Sequence, residues 1–100
     1  MEIYKTKNND ILNVKLKGRL DTNTSVELDE ALKDDVIELK VLKLELTDLD
    51  YISSAGLRVL LKYHKLLQEA KKSLSILNPK AEVMEVFDMT GFSSFLNIEE

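Results

Sequence analysis

Cysteine is absent from the 100 residues. That absence removes disulfide scaffolds, zinc–thiolate sites and thiol nucleophiles together, and it fits a reducing cytoplasm. A single histidine, His64, leaves little for acid–base chemistry, and three glycines are too few and too scattered for a phosphate cradle. No apolar run approaches the roughly 20 residues that cross a bilayer. Met1-Glu2-Ile3-Tyr4-Lys5-Thr6 has neither the charged start nor the apolar stretch of a signal peptide. A cytoplasmic protein with no direct membrane insertion is therefore expected. Basic residues number 14 against 18 acidic, for a net charge of −4, and Lys71-Lys72 is the only adjacent basic pair. Nucleic acid, which requires clustered Lys and Arg, is not an expected partner.

What is present is an ordinary globular composition, 44% apolar and 32% charged, in a chain long enough to bury a core. One domain over residues 1–100 is expected. Leu12, Val14 and Leu16 alternate with Asn13, Lys15 and Lys17, the period of a strand with one buried face. With Ile3-Tyr4-Lys5 and the polar cluster Lys7-Asn8-Asn9-Asp10 they predict an N-terminal antiparallel hairpin ending at Gly18. Asp21-Thr22-Asn23-Thr24-Ser25 is rich in helix-capping residues. Thr24 with Glu27 fits a capping box, and Asp21 or Thr22 fits the cap position as well.

Leu42, Leu44 and Leu46 predict a third strand, followed by a loop through Thr47–Ile52. A long helix follows from about Ser54 to Lys71, with Leu57, Leu60, Leu61, Leu67 and Ala70 as its core stripe and Val59 and Tyr63 on its flank. Leu74 to Leu77 form a fourth strand. Asn78-Pro79 predicts a helix start, Val83, Met84, Val86 and Phe87 its packing face, and Gly91 its stop. Phe95 to Ile98 close the chain as a fifth strand. The order β-β-α-β-α-β-α-β is that of an α/β fold with a mixed sheet and helices mainly on one face.

An inventory of reactive groups argues against catalysis. His64 lies ten residues past Ser54 on one helix, about 15 Å away, too far for proton transfer. Ser54 is not in a Gly-x-Ser-x-Gly elbow. Asp48 and Asp50 in one loop and Asp21 in another are three carboxylates that could converge on a divalent cation, yet short Asp-rich loops are ordinarily turn and cap chemistry. No catalytic residue, metal site or cofactor is expected. Ser53-Ser54-Ala55-Gly56 at a helix start is the remaining feature. A glycine in a first turn costs about 1 kcal/mol relative to alanine, and it suits a place where another backbone approaches closely. The pattern reads equally as a plain helix cap and as a contact surface.

Four segments in order resemble one family: Gly18-Arg19-Leu20-Asp21, Leu44-Glu45-Leu46-Thr47-Asp48-Leu49, Ile52-Ser53-Ser54-Ala55-Gly56-Leu57 and Val86-Phe87-Asp88-Met89-Thr90-Gly91-Phe92. By them nearly the whole chain resembles the STAS domain and, within it, the bacterial anti-sigma factor antagonists. The resemblance implies a non-enzymatic protein that binds an anti-sigma factor doubling as a serine kinase. Phosphorylation by that kinase, which brings the ATP and Mg²⁺, releases it, and a metal-dependent serine phosphatase resets it, so that transcription is regulated by partner switching. Aligned on Gly56, the accepting residue is Ser54, with Ser53 the second choice because many members carry Asp there. Asp21, Thr22, Ser53, Ser54, Gly56, Leu57 and Arg58 form the implied partner-binding surface. The alternative within the family is a regulatory subunit of a phospholipid transporter ATPase, with Ser54 unphosphorylated and serving as a cap.

Overall fold

The computed structural model describes residues 1–100. Strands β1 (Glu2–Asn8) and β2 (Ile11–Leu20) form the expected antiparallel hairpin around Asn9 and Asp10. Asn9 has φ 58°, a left-handed conformation that asparagine tolerates better than most residues. There follow α1 (Thr22–Leu32), a 3-10 turn (Asp35–Ile37), β3 (Val41–Ile52), α2 (Ser54–Glu69) and β4 (Ser73–Leu77). The chain closes with α3 (Ala81–Thr90), a second 3-10 turn (Phe92–Ser94) and β5 (Asn97–Glu99). The element order is the one expected from sequence. The sheet has the order β1-β2-β3-β4-β5, with β2 to β5 parallel. Three crossovers step the same way across it, and right-handed crossovers of that kind put their helices on one face.

That face is the core. Leu12, Val14, Leu16 and Leu20 point into it while Lys15 and Lys17 remain exposed, and Tyr63 and Phe87 are its largest fully buried side chains. Each such burial stabilises by roughly 1.5–3 kcal/mol. No helix is long and apolar enough to cross a membrane.

Several boundaries differ from expectation, each for a local reason. β2 continues past Gly18 to Leu20. Gly18, at φ 111°, marks a shift in the β2–β3 register, a bulge rather than a strand end. β3 likewise continues through Thr47–Ile52, where a loop was expected. Its buried positions are Leu42, Leu44, Leu46, Leu49 and Ile52; the irregular pairing stretches the spacing from two to three and hides the alternation. α2 ends at Glu69, two residues before Lys71, leaving Ala70 exposed, and Tyr63 lies in the core, not on the flank.

α3 begins at Ala81 instead of Asn78-Pro79, with Lys80 at the cap position and no side-chain capping bond. Asn78 is committed elsewhere: its backbone N–H donates to the Glu99 carbonyl (2.7 Å), its amide nitrogen donates to Glu45 (3.2 Å), and its φ of 51° is not helical. Gly91 ends α3 as expected, with φ 82°. β5 starts at Asn97, and Phe95 instead packs against His64 with ring centroids 5.1 Å apart.

Candidate functional site

Strands β2 and β3 finish together. Leu20 and Ile52 are register partners, and the Leu20 carbonyl accepts the N–H of Ser53 at 2.8 Å. One residue beyond that pair both chains turn into helices, with Asp21 capping α1 and Ser53 capping α2. Two helix N-termini therefore meet at the carboxyl edge of the parallel strands, where open α/β sheets place their sites. Each end carries free N–H groups and partial positive charge.

Asp21 is the cap that the sequence left open against Thr22 and Thr24. Its carboxylate accepts the N–H of Asn23 (3.1 Å) and of Thr24 (2.9 Å), and Thr24 Oγ1 accepts the N–H of Asp21 (2.8 Å). The Thr24 N–H and, after it, the Thr24 hydroxyl, which donates to the same carboxylate at 3.1 Å, hold the Asp21 carboxyl below its ordinary range, with a smaller contribution from Arg19. Thr22, the first residue of α1, is exposed beside it.

The two serines have different jobs. Ser53 Oγ accepts the N–H of Gly56 at 3.2 Å, so this hydroxyl is engaged in capping α2. Ser54 is the first residue of α2, exposed, and its hydroxyl enters no hydrogen bond of the chain. Gly56 and Leu57, expected within the docking surface, are buried beneath it. A Cβ on Gly56 would lie 2.8 Å from Leu20 Cγ and 3.0 Å from Ile52 Cγ1. The glycine thus lets α2 lie directly on the ends of β2 and β3. Asp21, Thr22, Ser53, Ser54 and Arg58 reach the surface above that floor.

Asp48 and Asp50, expected in a loop, stand on β3 and are held by separate lysines, Asp48 by Lys15 at 3.0 Å and Asp50 by Lys80. They do not converge with Asp21, and no three His, Cys, Asp or Glu side chains gather to hold a metal ion. The two hollows of the surface lie elsewhere, one beside α3 and one between α2 and β4. The site is an open face.

Two features went unread in the sequence. Asp29 of α1 accepts from Lys62 Nζ (2.8 Å) and from the hydroxyl of Tyr63 (2.5 Å), both on α2. Lys62 and, after it, Tyr63 lower the Asp29 carboxyl, while burial, followed by Asp29, raises the Tyr63 phenol. On the other side of the site the Arg19 guanidinium lies 4.1 Å from the ring centroid of Tyr51, its register partner. Only the exposed positions of Arg19 and Tyr51 in strands that outlast the visible alternation could have signalled the second.

The family model described as the STAS domain matches residues 2–100. The protein is similar to an anti-sigma-B factor antagonist of Staphylococcus epidermidis, 30% identical over 95 residues that cover 91% of this chain and 85% of the relative. It is 46% identical to BtrV of Bordetella bronchiseptica over 55 residues, 55% of this chain; that match spans about half, 47%, of BtrV. The structure of the anti-sigma factor antagonist SpoIIAA in its unphosphorylated form superposes with a TM-score of 0.85 over 97% of this chain and 87% of that one. At 16% identity that likeness speaks to the fold.

Proposed function

The chain belongs to the STAS domain family, among its anti-sigma factor antagonists, and we propose that it switches partners through phosphorylation of Ser54. In this reading it is a cytoplasmic, non-enzymatic regulator. Unphosphorylated, it holds an anti-sigma factor that is also a serine kinase and so leaves a sigma factor free. The kinase, carrying its own ATP and Mg²⁺, transfers phosphate to Ser54 and lets go. A serine phosphatase then restores the hydroxyl. The chain supplies the accepting hydroxyl and the docking face, and needs no cofactor of its own.

The observation that carries this reading is the contrast between neighbouring serines. Ser53 Oγ is tied to Gly56, whereas Ser54 is exposed and unbonded. A phosphate there is compatible with the fold, because the N-terminus of α2 favours an anion. It adds roughly −1.5 to −2 charges to the face, enough to repel an acidic or apolar partner surface. Incubation with the cognate kinase and ATP, followed by mass spectrometry, should find one phosphate on the wild type and on Ser53→Ala, and none on Ser54→Ala. Transfer that survives Ser54→Ala overturns the assignment. Copurification with a transporter ATPase and no phosphate would favour the transporter-subunit alternative.

A further inference from the structure

The chain has only two arginines, Arg19 and Arg58, while its other twelve cationic side chains are lysines. Arg19 precedes Leu20 and Asp21 at the end of β2, and Arg58 follows Ser54 by one turn of α2. Both are exposed. The lysines around them are paired: Lys15 with Asp48, Lys17 with Glu2, Lys62 with Asp29 and Lys80 with Asp50. Neither arginine forms an ion pair. The Arg19 guanidinium carbon lies over the Tyr51 ring, 4.1 Å from its centroid, a cation–π contact that leaves its N–H donors for a partner.

Arg58 is exposed on α2. Ser54, Arg58 and Lys62 are spaced by four and share one outward line of α2. Lys62 meets Asp29 of α1 across an offset of 33 residues. Four residues before Asp29 on α1 stands Ser25, buried and without charge. None of the chain's ion pairs includes Arg58.

We propose that Arg19 and Arg58 are a two-point anchor for carboxylates on an acidic face of the partner, and that phosphate on Ser54 breaks this anchor by taking Arg58 for itself. The inference rests on the partner-switching function proposed above. Charge complementarity selects the occupant. The chain carries a net charge of −4 and repels an acidic surface in general. At this face, however, Asp29, Asp48 and Asp50 are engaged by lysines and Asp21 by the first N–H groups of α1, while neither guanidinium is in an ion pair. Arginine meets carboxylates through two parallel bonds and is enriched among the residues that dominate binding. Ser54 and Arg58 are neighbours on the helix surface, so three phosphate oxygens would sit within reach of that guanidinium. One modification thereby removes an attachment point and adds like charge.

The test uses the purified kinase that phosphorylates the wild-type chain. For unphosphorylated proteins, titration calorimetry should show Arg19→Ala and Arg58→Ala each weakening binding by about tenfold or more, and Arg19→Glu and Arg58→Glu weakening it further. Thermal unfolding of the Arg58 variants should match the wild type, and that of the Arg19 variants should fall only slightly, by the loss of the contact with Tyr51. Arg58→Lys should recover only part of the affinity, since a point charge does not reproduce bidentate contact. Binding of the Glu variants that equals or exceeds the wild type overturns the anchor. For the second half, the Arg58 Nε–H NMR signal should move on phosphorylation of Ser54, and an unmoved signal overturns it. A wild type that neither binds nor accepts phosphate defeats the proposed function instead, so the two failures are distinguishable.

Discussion

Leu20 and Gly56 leave no room for a methyl group between them: a Cβ on Gly56 would stand 2.8 Å from Leu20 Cγ. Both partners are buried, so Leu20 has little freedom to withdraw. Gly56→Ala should gain up to about 1 kcal/mol of helix propensity and lose about 1–3 kcal/mol to overpacking. The expected result is a net destabilisation of up to about 3 kcal/mol, read from urea unfolding midpoints. In a Leu20→Ala background the same change should cost less, because the clashing carbons are gone.

The neighbouring serines should separate on stability as well as on phosphate transfer. Ser53→Ala removes the side-chain acceptor from the N–H of Gly56 and should cost about 0.5–2 kcal/mol, the ordinary effect of losing an N-cap. Ser54→Ala removes a hydroxyl that bonds to nothing in the chain and should unfold within about 0.5 kcal/mol of the wild type. Equal costs for the two substitutions, measured by chemical denaturation, would contradict the division of labour between cap and acceptor.

The sequence made the β-β-α-β-α-β-α-β order legible because hairpin, helix stripes and short apolar strands each kept their own period. It lost the second half of β3, where irregular pairing changed the burial spacing at Leu46, Leu49 and Ile52. That loss had a consequence for the site, since Asp48, Asp50 and Tyr51 were read as loop residues instead of a strand edge. Gly56 suggests the close approach of another backbone, whereas the atoms that crowd it are side-chain carbons of Leu20 and Ile52. The Asp29–Lys62 pair was invisible because nothing in a single chain announces the 33-residue offset between two helices.

Acid should weaken the fold through the carboxylates whose hydrogen bonds depend on charge. Asp21, Asp29 and Asp48 all have lowered pKa values in the folded chain, caused first by Thr24, Lys62 and Lys15 respectively. A lowered folded value means that the stabilisation is complete above the unfolded carboxyl value, about 3.9. It is lost as pH falls from there through the folded value. Urea midpoints should therefore drop below about pH 4. Asp29→Asn should be less stable at pH 7 and show a shallower drop, because it no longer releases a proton on folding. An unchanged acid slope in that variant would remove Asp29 from the account.

Phosphorylated Ser54 should leave the fold intact and raise its melting temperature slightly, since an anion in the first turn of a helix stabilises by about 0.3–1 kcal/mol. The gain has an opposing term. Asp21 caps α1 and Ser54 is the first residue of α2, one residue and two residues beyond the Leu20–Ile52 pair, and the Asp21 carboxylate repels a phosphate there. Asn caps a helix about as well as Asp, so Asp21→Asn removes the charge while keeping the cap. Phosphorylation should accordingly raise the melting temperature of Asp21→Asn by more than that of the wild type, a difference that shrinks with added salt. Scanning calorimetry of the four proteins measures it, and a smaller gain in Asp21→Asn would show that the two N-termini do not share one field.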